Sequence, residues 1–592
     1  MKRLLITLIV LLSLTFVSCG ADNEETGDTG NTGNTGNTGD TGDTGDTGNT
    51  GVETDSDETE NFDNETSDDS EDYSNHACYE RSGDTDGDGL TNEVECPEFP
   101  CQDSDGDELP DCLDADSDGD GISDSAECSS DPCEDTDKDG MPDYIDRDSD
   151  NDGLNDKKEK EIGTDPYNKD TDGDGTDDLA EIVAGTDPND PDSKIQEGLF
   201  YVVLPYNAPD RAERKLTFST KIDNVDVGIL LDRSGSMGNE IENLKTGIQN
   251  ELINGILEKM EGVDLALGLV SFGTWDDGPY KVEQRITDDY EAVIAAVGNT
   301  GVQGSGAHEP HSESIYQAST GEGLYARCHV TNPINPWEVY TIDPGDCTGA
   351  EGSVGGICLR EMTFPIFIML TDVAFIEYPV GSAPFGEEYW DFNARGHSRE
   401  EAMLAMNGVN AKFIGIDTGF SCTQYDASYN CIGTETPSNL VEDDFTIIAE
   451  GTASLNKNGE PFLYHTTSSD GSGLSDQIAD AVVELTTYVQ MDVTTKTFSD
   501  DSCEEISAAE FVDESAPVEA NPPEGVASQD ETTFYKVEPG TDVTFMVYFK
   551  NDFCINNTEN PIVYEAMIRV LGDGAYVSSK KIQIIIPAGD QT

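Results

Sequence analysis

Six copies of an aspartate-rich pattern fill residues 84–181 and constrain what this part of the chain can fold into. Each copy places carboxylates at its first, third and fifth positions, and five of the six copies have glycine at the sixth position. A hard cation such as calcium takes about six to eight oxygen ligands, and the chain must turn sharply at the sixth position to surround it. An acidic linker would not need glycine at a fixed place. The pattern therefore predicts calcium-binding loops, which should stiffen when the cation cancels the repulsion between carboxylates.

The predicted calcium ligands are the acidic residues at the first, third and fifth positions, together with a glutamate at the twelfth position of four copies. They are Asp84, Asp86, Asp88 and Glu95; Asp103, Asp105 and Asp107; Asp116, Asp118, Asp120 and Glu127; Asp135, Asp137 and Asp139; Asp148, Asp150, Asp152 and Glu159; and Asp170, Asp172, Asp174 and Glu181. The second copy has Glu108 where glycine is expected, so we expect its site to be distorted or weak.

These loops differ from EF-hands, which need a helix on each side of the calcium loop. The copies follow one another too closely for that, and GTDP-like turns and cysteines join them. The stretch 84–192 instead resembles thrombospondin type 3 repeats. The resemblance implies calcium ions wrapped by a chain with little regular structure. We assign residues 78–199 to this repeat region.

The acidic composition narrows the possible functions. The chain has 592 residues and a formal net charge of −92, with 123 Asp and Glu against 31 Lys and Arg. The length predicts several domains. The charge argues against nucleic-acid binding, which needs a basic surface. Solubility alone would also explain such acidity, but the regular spacing of the carboxylates favours hard cations.

The N-terminus has the organisation of an export signal. Lys2 and Arg3 precede an apolar stretch that is short for a membrane span, and Ser18-Cys19-Gly20 closes it. This order resembles a bacterial lipobox. The resemblance implies that Cys19 becomes a lipidated N-terminus and that the protein is anchored at the bacterial outer membrane or cell surface. The alternative is an ordinary signal peptide that contains a cysteine.

Residues 1–19 are thus predicted to be a lipoprotein signal peptide, and residues 20–77 a flexible tether. The tether repeats Gly-[Asp/Asn]-Thr without the proline that collagen needs. The chain has 14 cysteines, and setting Cys19 aside leaves 14 − 1 = 13, so disulfides and one unpaired thiol are expected in an oxidising setting. Cys422 with Cys431, and Cys503 with Cys554, are expected pairs, while the remaining connectivity cannot be deduced.

Residues 200–490 alternate apolar strands with amphipathic helices, which indicates an α/β fold with a parallel sheet. Residues 225–231 form an apolar run suited to a strand buried on both faces. The segment Asp232-Arg233-Ser234-Gly235-Ser236 follows, and apolar residues then recur at helical spacing from Ile241 to Met260. The motif therefore stands at the carboxyl end of a parallel strand, where open α/β sheets bind ligands.

This Asp-x-Ser-x-Ser motif closely resembles the metal-ion-dependent adhesion site of von Willebrand factor A domains. The resemblance implies a doubly wound sheet and assigns Asp232, Ser234 and Ser236 to the site. It also implies an aspartate after a later buried strand, which Asp372 matches. Hydroxyls and carboxylates are hard oxygen ligands that suit Mg²⁺ or Ca²⁺. Two neutral serines leave the metal electrophilic, so that an acidic group of a protein or glycan partner can become its last ligand.

The third part of the adhesion motif departs from the family pattern, which usually offers threonine in a glycine-rich loop. Here the loop reads GSGAHEPHSES, beginning at Gly304. Glu309 is the predicted oxygen donor, and Ser312 or Glu313 are the alternatives.

Two histidines of this loop, His308 and His311, offer a soft-metal site as another alternative, although no third ligand is placed beside them. An insert covers about residues 306–360 and contains three cysteines and Trp337. We expect it to lie near the metal edge of the sheet and to contribute to partner selectivity.

The fold class expected for the whole chain is multidomain. Irregular calcium repeats precede a doubly wound α/β domain, residues 200–490, and a small β-sandwich, residues 491–592, follows it. The expected function is adhesion or recognition at the cell surface through the metal, on a stalk stiffened by calcium. A structural envelope spacer without a ligand is the alternative. An enzyme is not expected: HEPH is not HExxH and the serines do not form G-x-S-x-G, so a secreted hydrolase is a further alternative without a recognisable motif.

Overall fold

The structure, a computed structural model, describes most of the chain beyond the tether. The described residues are 78, 80–130, 132–196, 198–208, 211–273, 280–303, 310–329, 337–342, 347, 353–373, 375, 397–422, 435–437, 441–466, 468–499, 506–558 and 560–588. Cys19, Glu309 and His308 lie outside them, as do the leader, the tether, Cys431 and Cys503, so the predictions made for these residues stay predictions. Among the described residues, no helix has both the length and the apolar character needed to cross a bilayer.

The chain divides into two compact units. One contains the repeat region up to Ile195 together with Asp552–Ile562 and the residues from Ile586 onwards; the other contains Gln196–Asn551 and Val563–Ile585. Each unit is described by itself.

The repeat region contains little regular structure, as its resemblance implies. Four short helices begin at the ninth position of the copies that have glutamate at the twelfth. They are α1 (Asn92–Glu95), α2 (Asp124–Glu127), α3 (Asp156–Ile162) and α4 (Asp178–Ala184). The other two copies carry only single 3₁₀ turns, Asp111–Leu113 and Asp143–Ile145. No described loop is flanked by helices on both sides in the EF-hand manner.

The turn at the sixth position of each loop uses the left-handed backbone region. Gly89 has φ of 117° and Gly121 has φ of 90°, which glycine adopts without steric cost. Glu108 takes the same region at φ of 81°. The second loop therefore turns like the others, although a side chain with Cβ is less stable in this conformation.

Disulfides cross-link the repeat region. Cys78 pairs with Cys112, Cys96 with Cys101, and Cys128 with Cys133. The first two bonds form one small buried cluster of sulfur and apolar groups. In the second unit Cys347 pairs with Cys358. The expectation of disulfides is therefore confirmed for these residues. Cys554 is also disulfide-bonded.

The second unit contains a six-stranded sheet in the order β12-β9-β8-β3-β4-β5. Its strands are β3 (Asn224–Asp232), β4 (Asp264–Phe272), β5 (Lys281–Thr287), β8 (Phe364–Thr371), β9 (Lys412–Asp417) and β12 (Leu463–His465). All pairs are parallel except β4 with β5. Every residue of β8 and nearly every residue of β3 is buried, so both faces of the sheet are covered. The predicted α/β fold is confirmed.

Helices connect these strands. They are α5 (Gly238–Gly247), α6 (Asn254–Lys259), α7 (Tyr290–Asn299), α8 (His311–Thr320), α9 (Arg399–Gly408), α10 (Glu442–Gly451) and α11 (Leu474–Tyr488). A wider π turn, Ile248–Ile253, joins α5 to α6, so the helix predicted from the periodicity is present with one local irregularity. One hydrophobic cluster joins Phe367 of the sheet to Ile315, Met406 and Phe445 of α8, α9 and α10.

Two short antiparallel hairpins accompany this sheet. They are β6 (Leu324–His329) with β7 (Trp337–Ile342), and β10 (Phe420–Cys422) with β11 (Glu435–Pro437). The first hairpin belongs to the predicted insert.

The remaining strands form two further sheets. They are β1 (Phe200–Val203), β2 (Ala212–Ser219), β13 (Met491–Ser499), β14 (Val512–Asn521), β15 (Ser528–Gln529), β16 (Phe534–Val537), β17 (Asp542–Phe549), β18 (Ile562–Gly572) and β19 (Ala575–Ile586). One sheet has the order β1-β19-β18-β13-β16-β15, and the other has the order β14-β17-β2. The rings of Phe534 and Phe545 lie 5.2 Å apart and join the two sheets.

The structure corrects the predicted domain boundary at residue 200. β1 pairs with β19, and β2 pairs with β17, so residues 200–219 complete the sheets of the C-terminal region and are not part of the α/β sheet. Alternation along a strand shows that it is half-buried but does not identify its partner. The α/β fold thus lies between strands β2 and β13 of the sequence.

An ion pair fixes the amino-terminal edge of the α/β sheet. Asp226 in β3 is fully buried and accepts hydrogen bonds from the backbone N–H of Arg360 at 2.6 Å and from its Nε at 2.7 Å. Arg360 also reaches Asp264, at the start of β4, at 2.8 Å.

We predict that Arg360→Leu lowers the free energy of unfolding of this sheet by about 3–5 kcal/mol, because it leaves Asp226 buried without its partner. All three tryptophans, Trp275, Trp337 and Trp390, belong to this part of the sequence, so a urea titration followed by tryptophan fluorescence reports on it. Lys259→Leu, which removes an exposed ion pair with Asp480, is the matched control and should cost less than about 1 kcal/mol. Equal losses for the two variants would contradict the prediction.

Candidate metal centres

The predicted adhesion-site residues lie at the topological switch point of the sheet, where the order of the strands reverses. Asp232 is the last residue of β3, and Asp372 follows β8 directly. β3 lies between β4 and β8, so the chain leaves β3 to one side and later returns on its other side. The carboxyl ends of two such strands border the crevice in which open α/β sheets bind ligands.

Hydrogen bonds connect the oxygens of this group. The N–H of Ser234 donates to Asp232 Oδ1 at 2.8 Å, and the hydroxyls of Ser234 and Ser236 lie 3.0 Å apart. The Ser236 hydroxyl donates to Asp372 Oδ1 at 3.0 Å. Four of the five predicted residues therefore come together, although 136 positions separate Ser236 from Asp372. Hydroxyl and carboxylate oxygens are the ligands that Mg²⁺ and Ca²⁺ prefer.

The charge of this site also fits a dication. Burial raises the pKa of Asp232 to about 6 and raises the pKa of Asp372 above its usual value. Within the part of the chain that the structure describes, neither carboxylate has an ion pair with a lysine or arginine. A bound divalent cation would supply the missing positive charge.

Two further carboxylates near the site were not identified from the sequence. Burial, and then the charges of Asp372 and Asp232, raise the pKa of Glu240 to about 7, and Glu240 Oε2 is buried without a hydrogen-bond partner. Burial raises the pKa of Asp417, the last residue of β9, to about 6. The place of Asp417 after a predicted strand was a signal for it, whereas Glu240 resembles any acidic residue in the first turn of a helix.

The structure describes two of the three candidates for the third ligand of the adhesion site. Glu309, the predicted donor, lies outside the described residues. Glu313 is buried, and it accepts hydrogen bonds from Gln317 Nε2 and from the backbone and ring nitrogens of His397, each at 2.8 Å. Its carboxylate therefore holds α8 to the start of α9. Ser312 is partly exposed near the start of α8.

His311 contacts the adhesion site indirectly, through Thr371. Its Nε2 lies 3.0 Å from Thr371 Oγ1, and that hydroxyl donates to Asp232 Oδ2 at 2.8 Å. A threonine hydroxyl can donate one hydrogen bond, and Thr371 donates it to Asp232. The hydroxyl therefore accepts from His311, whose imidazole must donate from Nε2. The buried ring also stacks on Phe375, with centroids 4.5 Å apart. This contact occupies Nε2 of His311, whereas His308, the other histidine of the soft-metal alternative, lies outside the described residues, so that alternative stays a prediction.

The two described ends of the insert lie at opposite edges of the sheet, and only the first lies at the metal edge, where we expected the insert. Helix α8 begins at the metal edge, where His311 meets Thr371, and leads away from it. At its far end, a Cβ on Gly355 would lie 2.7 Å from the carbonyl of Ser319, and Arg360 binds the starts of β3 and β4. The insert thus begins at one edge of the sheet and ends at the other. Sequence order alone could not show the direction of α8.

The predicted calcium loops bring carboxylate oxygens close together. One oxygen from each of Asp84, Asp86 and Asp88 lies within 4.8 Å of the others, and the first, third and fifth residues of the loops at Asp103 and Asp116 form equivalent groups. Many of their oxygens are buried without any hydrogen-bond partner: Asp86 Oδ2, Asp88 Oδ2, both oxygens of Glu95, Asp118 Oδ2, Asp120 Oδ2, Glu127 Oε2, Asp150 Oδ2, both oxygens of Glu159, Asp172 Oδ2 and Glu181 Oε2. Buried polar atoms are normally paired, so these oxygens fit calcium as the missing partner.

The ninth residue of each loop is a brace: its side chain accepts hydrogen bonds from the second residue of the same loop. Asp124 Oδ1 accepts the N–H of Ser117 at 2.7 Å, and Oδ2 accepts its hydroxyl at 2.5 Å. The pairs Thr85–Asn92, Ser104–Asp111, Thr136–Asp143, Ser149–Asp156 and Thr171–Asp178 repeat this arrangement. The serine or threonine at the second position was the overlooked signal, since it recurs in all six copies.

Burial and mutual repulsion shift the acidity of the twelfth residues. Burial, and then the charges of carboxylates in the same loop, raise the pKa of Glu95 to about 8 and those of Glu127 and Glu159 to about 9. These raised pKa values favour the protonated form of the three glutamates near neutral pH, so binding of a metal would release their protons.

Four segments of the chain match the family described as bacterial TSP3 repeat: residues 84–95, 116–128, 148–169 and 170–191. They are the four copies with glutamate at the twelfth position. The chain therefore contains TSP3 repeats. No curated protein matches the chain.

Several solved structures are similar to the chain at low identity. A von Willebrand factor type A protein from Catenulispora acidiphila is 13% identical, with TM-score 0.27, and the match covers 66% of this chain and 72% of that one. The proximal thread matrix protein 1 of the mussel byssus, with a zinc-occupied MIDAS motif, is 12% identical, with TM-score 0.25, over 45% and 48%. The pilus adhesin SpaC from Lactobacillus rhamnosus GG is 13% identical, with TM-score 0.25, over 63% and 45%. This chain thus spans about half the length of the last two proteins.

We predict that His311→Phe weakens magnesium binding at the Asp232 site about tenfold, because the ring still packs but no longer fixes Thr371 and Asp232. In calcium-saturated protein, added magnesium should then raise the urea midpoint of tryptophan fluorescence less than in the wild type. His311→Gln, whose amide can donate from the same place, should restore the magnesium effect. A full magnesium effect in His311→Phe would contradict this role.

We also predict that the calcium-free repeats lose stability as pH rises. The glutamate pKa values of about 8–9 lie above the ordinary value of 4.5, so the stabilising protonation is complete below that value and is lost as pH rises through 8–9. Each such group contributes up to about 1.4 kcal/mol per pH unit. Pulsed hydrogen exchange in a urea gradient should show a falling midpoint for peptides of residues 80–195 between about pH 6 and about pH 9. Saturating calcium should remove this slope, and a midpoint that rises in chelator would contradict the assignment.

Proposed function

We propose that this protein recognises a partner at the bacterial cell surface through a divalent metal held by Asp232, Ser234, Ser236 and Asp372. The α/β region would be a von Willebrand factor A-type domain, and the TSP3 repeats would be its calcium-binding stalk. Lipidation at Cys19 would anchor the chain, with residues 20–77 as tether. Protein or glycan acids are the proposed ligands, and no catalytic step is proposed.

The observation that carries this proposal is the composition of the site. The two hydroxyls and two carboxylates lie where β3 and β8 end, and no described cation neutralises them. Asp232 is buried and already accepts two hydrogen bonds, whereas Ser236 is exposed. A metal here would face the outside through Ser236, so an acidic group of another molecule could approach it as a further ligand.

Magnesium is favoured for the adhesion site and calcium for the loops. The adhesion site offers two hydroxyls and two carboxylates, and Mg²⁺ usually binds through one or two carboxylates and keeps other positions for water or an incoming ligand. The loops offer several carboxylates each, which suits the larger Ca²⁺.

We expect Asp372→Ala to abolish metal-dependent binding. The free energy of unfolding in chelator should stay within about 0.5 kcal/mol of the wild type, because Asp372 follows the strand and does not pack in its core. The measurement is capture of proteins and glycans from the extracellular surroundings of the native cells, in magnesium and in EDTA, with quantitative mass spectrometry. Asp470→Ala, which removes an exposed carboxylate outside the site, is the control.

The chemistry of recognition is tested by blocking the acidic groups of the captured molecules. Amidation of their carboxylates should prevent capture if an acid is the last metal ligand. Capture that persists in EDTA or with Asp372→Ala would contradict the proposed function. Magnesium binding without any captured molecule would favour a structural spacer, and turnover of peptide or ester substrates would favour a hydrolase.

A further inference from the structure

One carboxylate cluster joins two separate loops of the repeat region. Oxygens of Asp88, Glu95 and Asp124 all lie within 4.8 Å of one another. Asp88 and Glu95 are the fifth and twelfth residues of the first loop. Asp124 is the ninth residue of the third loop, 124 − 95 = 29 positions further along the chain.

The members of this cluster have unsatisfied oxygens. Glu95 is 1% exposed, and both its carboxylate oxygens are buried without a hydrogen-bond partner. Asp88 Oδ2 is in the same state. Such atoms are costly to bury unless a ligand completes them. The unpaired oxygens therefore indicate that a cation belongs where Asp124 approaches the first loop.

Asp124 is at the same time part of its own loop. It holds the N–H and the hydroxyl of Ser117, which lies between Asp116 and Asp118 of the third loop. Each carboxylate oxygen has two lone pairs, so accepting these bonds leaves capacity for a cation.

We propose that Asp124 serves two calcium loops at once: it braces the third loop and provides a carboxylate to the cation of the first loop. This inference rests on the proposed calcium binding of the repeats. Calcium in the first loop would fix Asp124, and through Ser117 it would order the first and third residues of the third loop. Two sites that share an element in this way have a coupling free energy, so that filling one raises the affinity of the other.

Contacts between one copy and the start of a later helix recur along the repeats. Lys157, in the first turn of α3, donates from Nζ to the carbonyl of Gly119 in the third loop at 3.1 Å. One step further, Asp152 Oδ2 accepts the N–H of Leu179 in α4 at 3.2 Å. Successive TSP3 copies are thus connected through the start of the following helix.

The test variant is Asp124→Asn, because the first copy shows that asparagine keeps the brace. Asn92 Oδ1 accepts the N–H of Thr85 at 3.1 Å and its hydroxyl at 3.0 Å. The substitution therefore removes the charge beside Glu95 and preserves the local turn. Asp143→Asn is the matched control, since Asp143 braces Thr136 in the same way in another loop.

The experiment is hydrogen exchange of the full chain during a calcium titration. In the wild type, peptides covering residues 80–96 and 113–130 should become protected over the same calcium range. Asp124→Asn should raise the calcium midpoint of the first peptide about tenfold. Asp143→Asn should leave that midpoint unchanged.

The outcomes separate this inference from the proposal beneath it. If calcium protects no repeat peptide of the wild type, the proposed calcium binding fails. If calcium protects the wild type and the first-loop midpoint is the same in Asp124→Asn, the shared carboxylate is overturned. Ser117→Ala weakens the brace but keeps the charge of Asp124, so it should shift the first-loop midpoint less than Asp124→Asn does. Equal shifts for the two variants would also overturn the inference.

Discussion

Negative charge buried without a positive partner is the constraint on which this structure depends. In the repeat region, buried carboxylates outnumber buried apolar side chains, and the small apolar cluster present there consists mainly of disulfide-bonded cysteines. A segment built in this way has little hydrophobic burial to oppose its chain entropy. The disulfides and the hydrogen bonds of the ninth residues therefore take over part of the role of a core, and bound cations would do the same.

The α/β region also buries negative charge, but it does so at the edges of an ordinary hydrophobic core. Its central strands β3 and β8 are buried on both faces, and the charged residues of β3 stand near the two ends of that strand. At the amino-terminal edge Asp226 receives a complete partner in Arg360. At the carboxyl edge Asp232 receives only neutral donors, Thr371 and Ser234. Two aspartates of one strand therefore differ, because only Asp226 has a charged partner among the described residues.

Much of this arrangement could be predicted from the sequence, because the responsible patterns are local. The Asp-x-Ser-x-Ser segment and the aspartate after a buried strand meet at one edge whenever both strands are parallel neighbours. The spacing of the aspartates specifies a loop around a cation in the same way. Each of these predictions depends on the spacing of residues within a short segment of the chain.

The features that escaped prediction depend on pairing across the fold. The partners of β1 and β2 lie more than three hundred residues away, and alternation within a strand does not identify them. Glu313 was a candidate ligand by position, but its side chain is held by His397. Asp124 has the sequence context of a ligand in its own loop, while its contacts show a brace that reaches another loop. Burial and direction of a side chain decided each of these cases.

The pairing of β1 and β2 with the C-terminal strands has a mechanical consequence. The α/β region is entered from β2 and left into β13, and both strands belong to sheets that need residues from the two ends of the unit. A pulling force that reaches Phe200 from the N-terminal side is first resisted by the hydrogen bonds of β1 with β19 and of β2 with β17. Cutting the chain once between β2 and β3 would still leave the α/β sheet attached through α11 and β13. The two sheets built from β1, β2 and the C-terminal strands thus hold the α/β region by both of its ends.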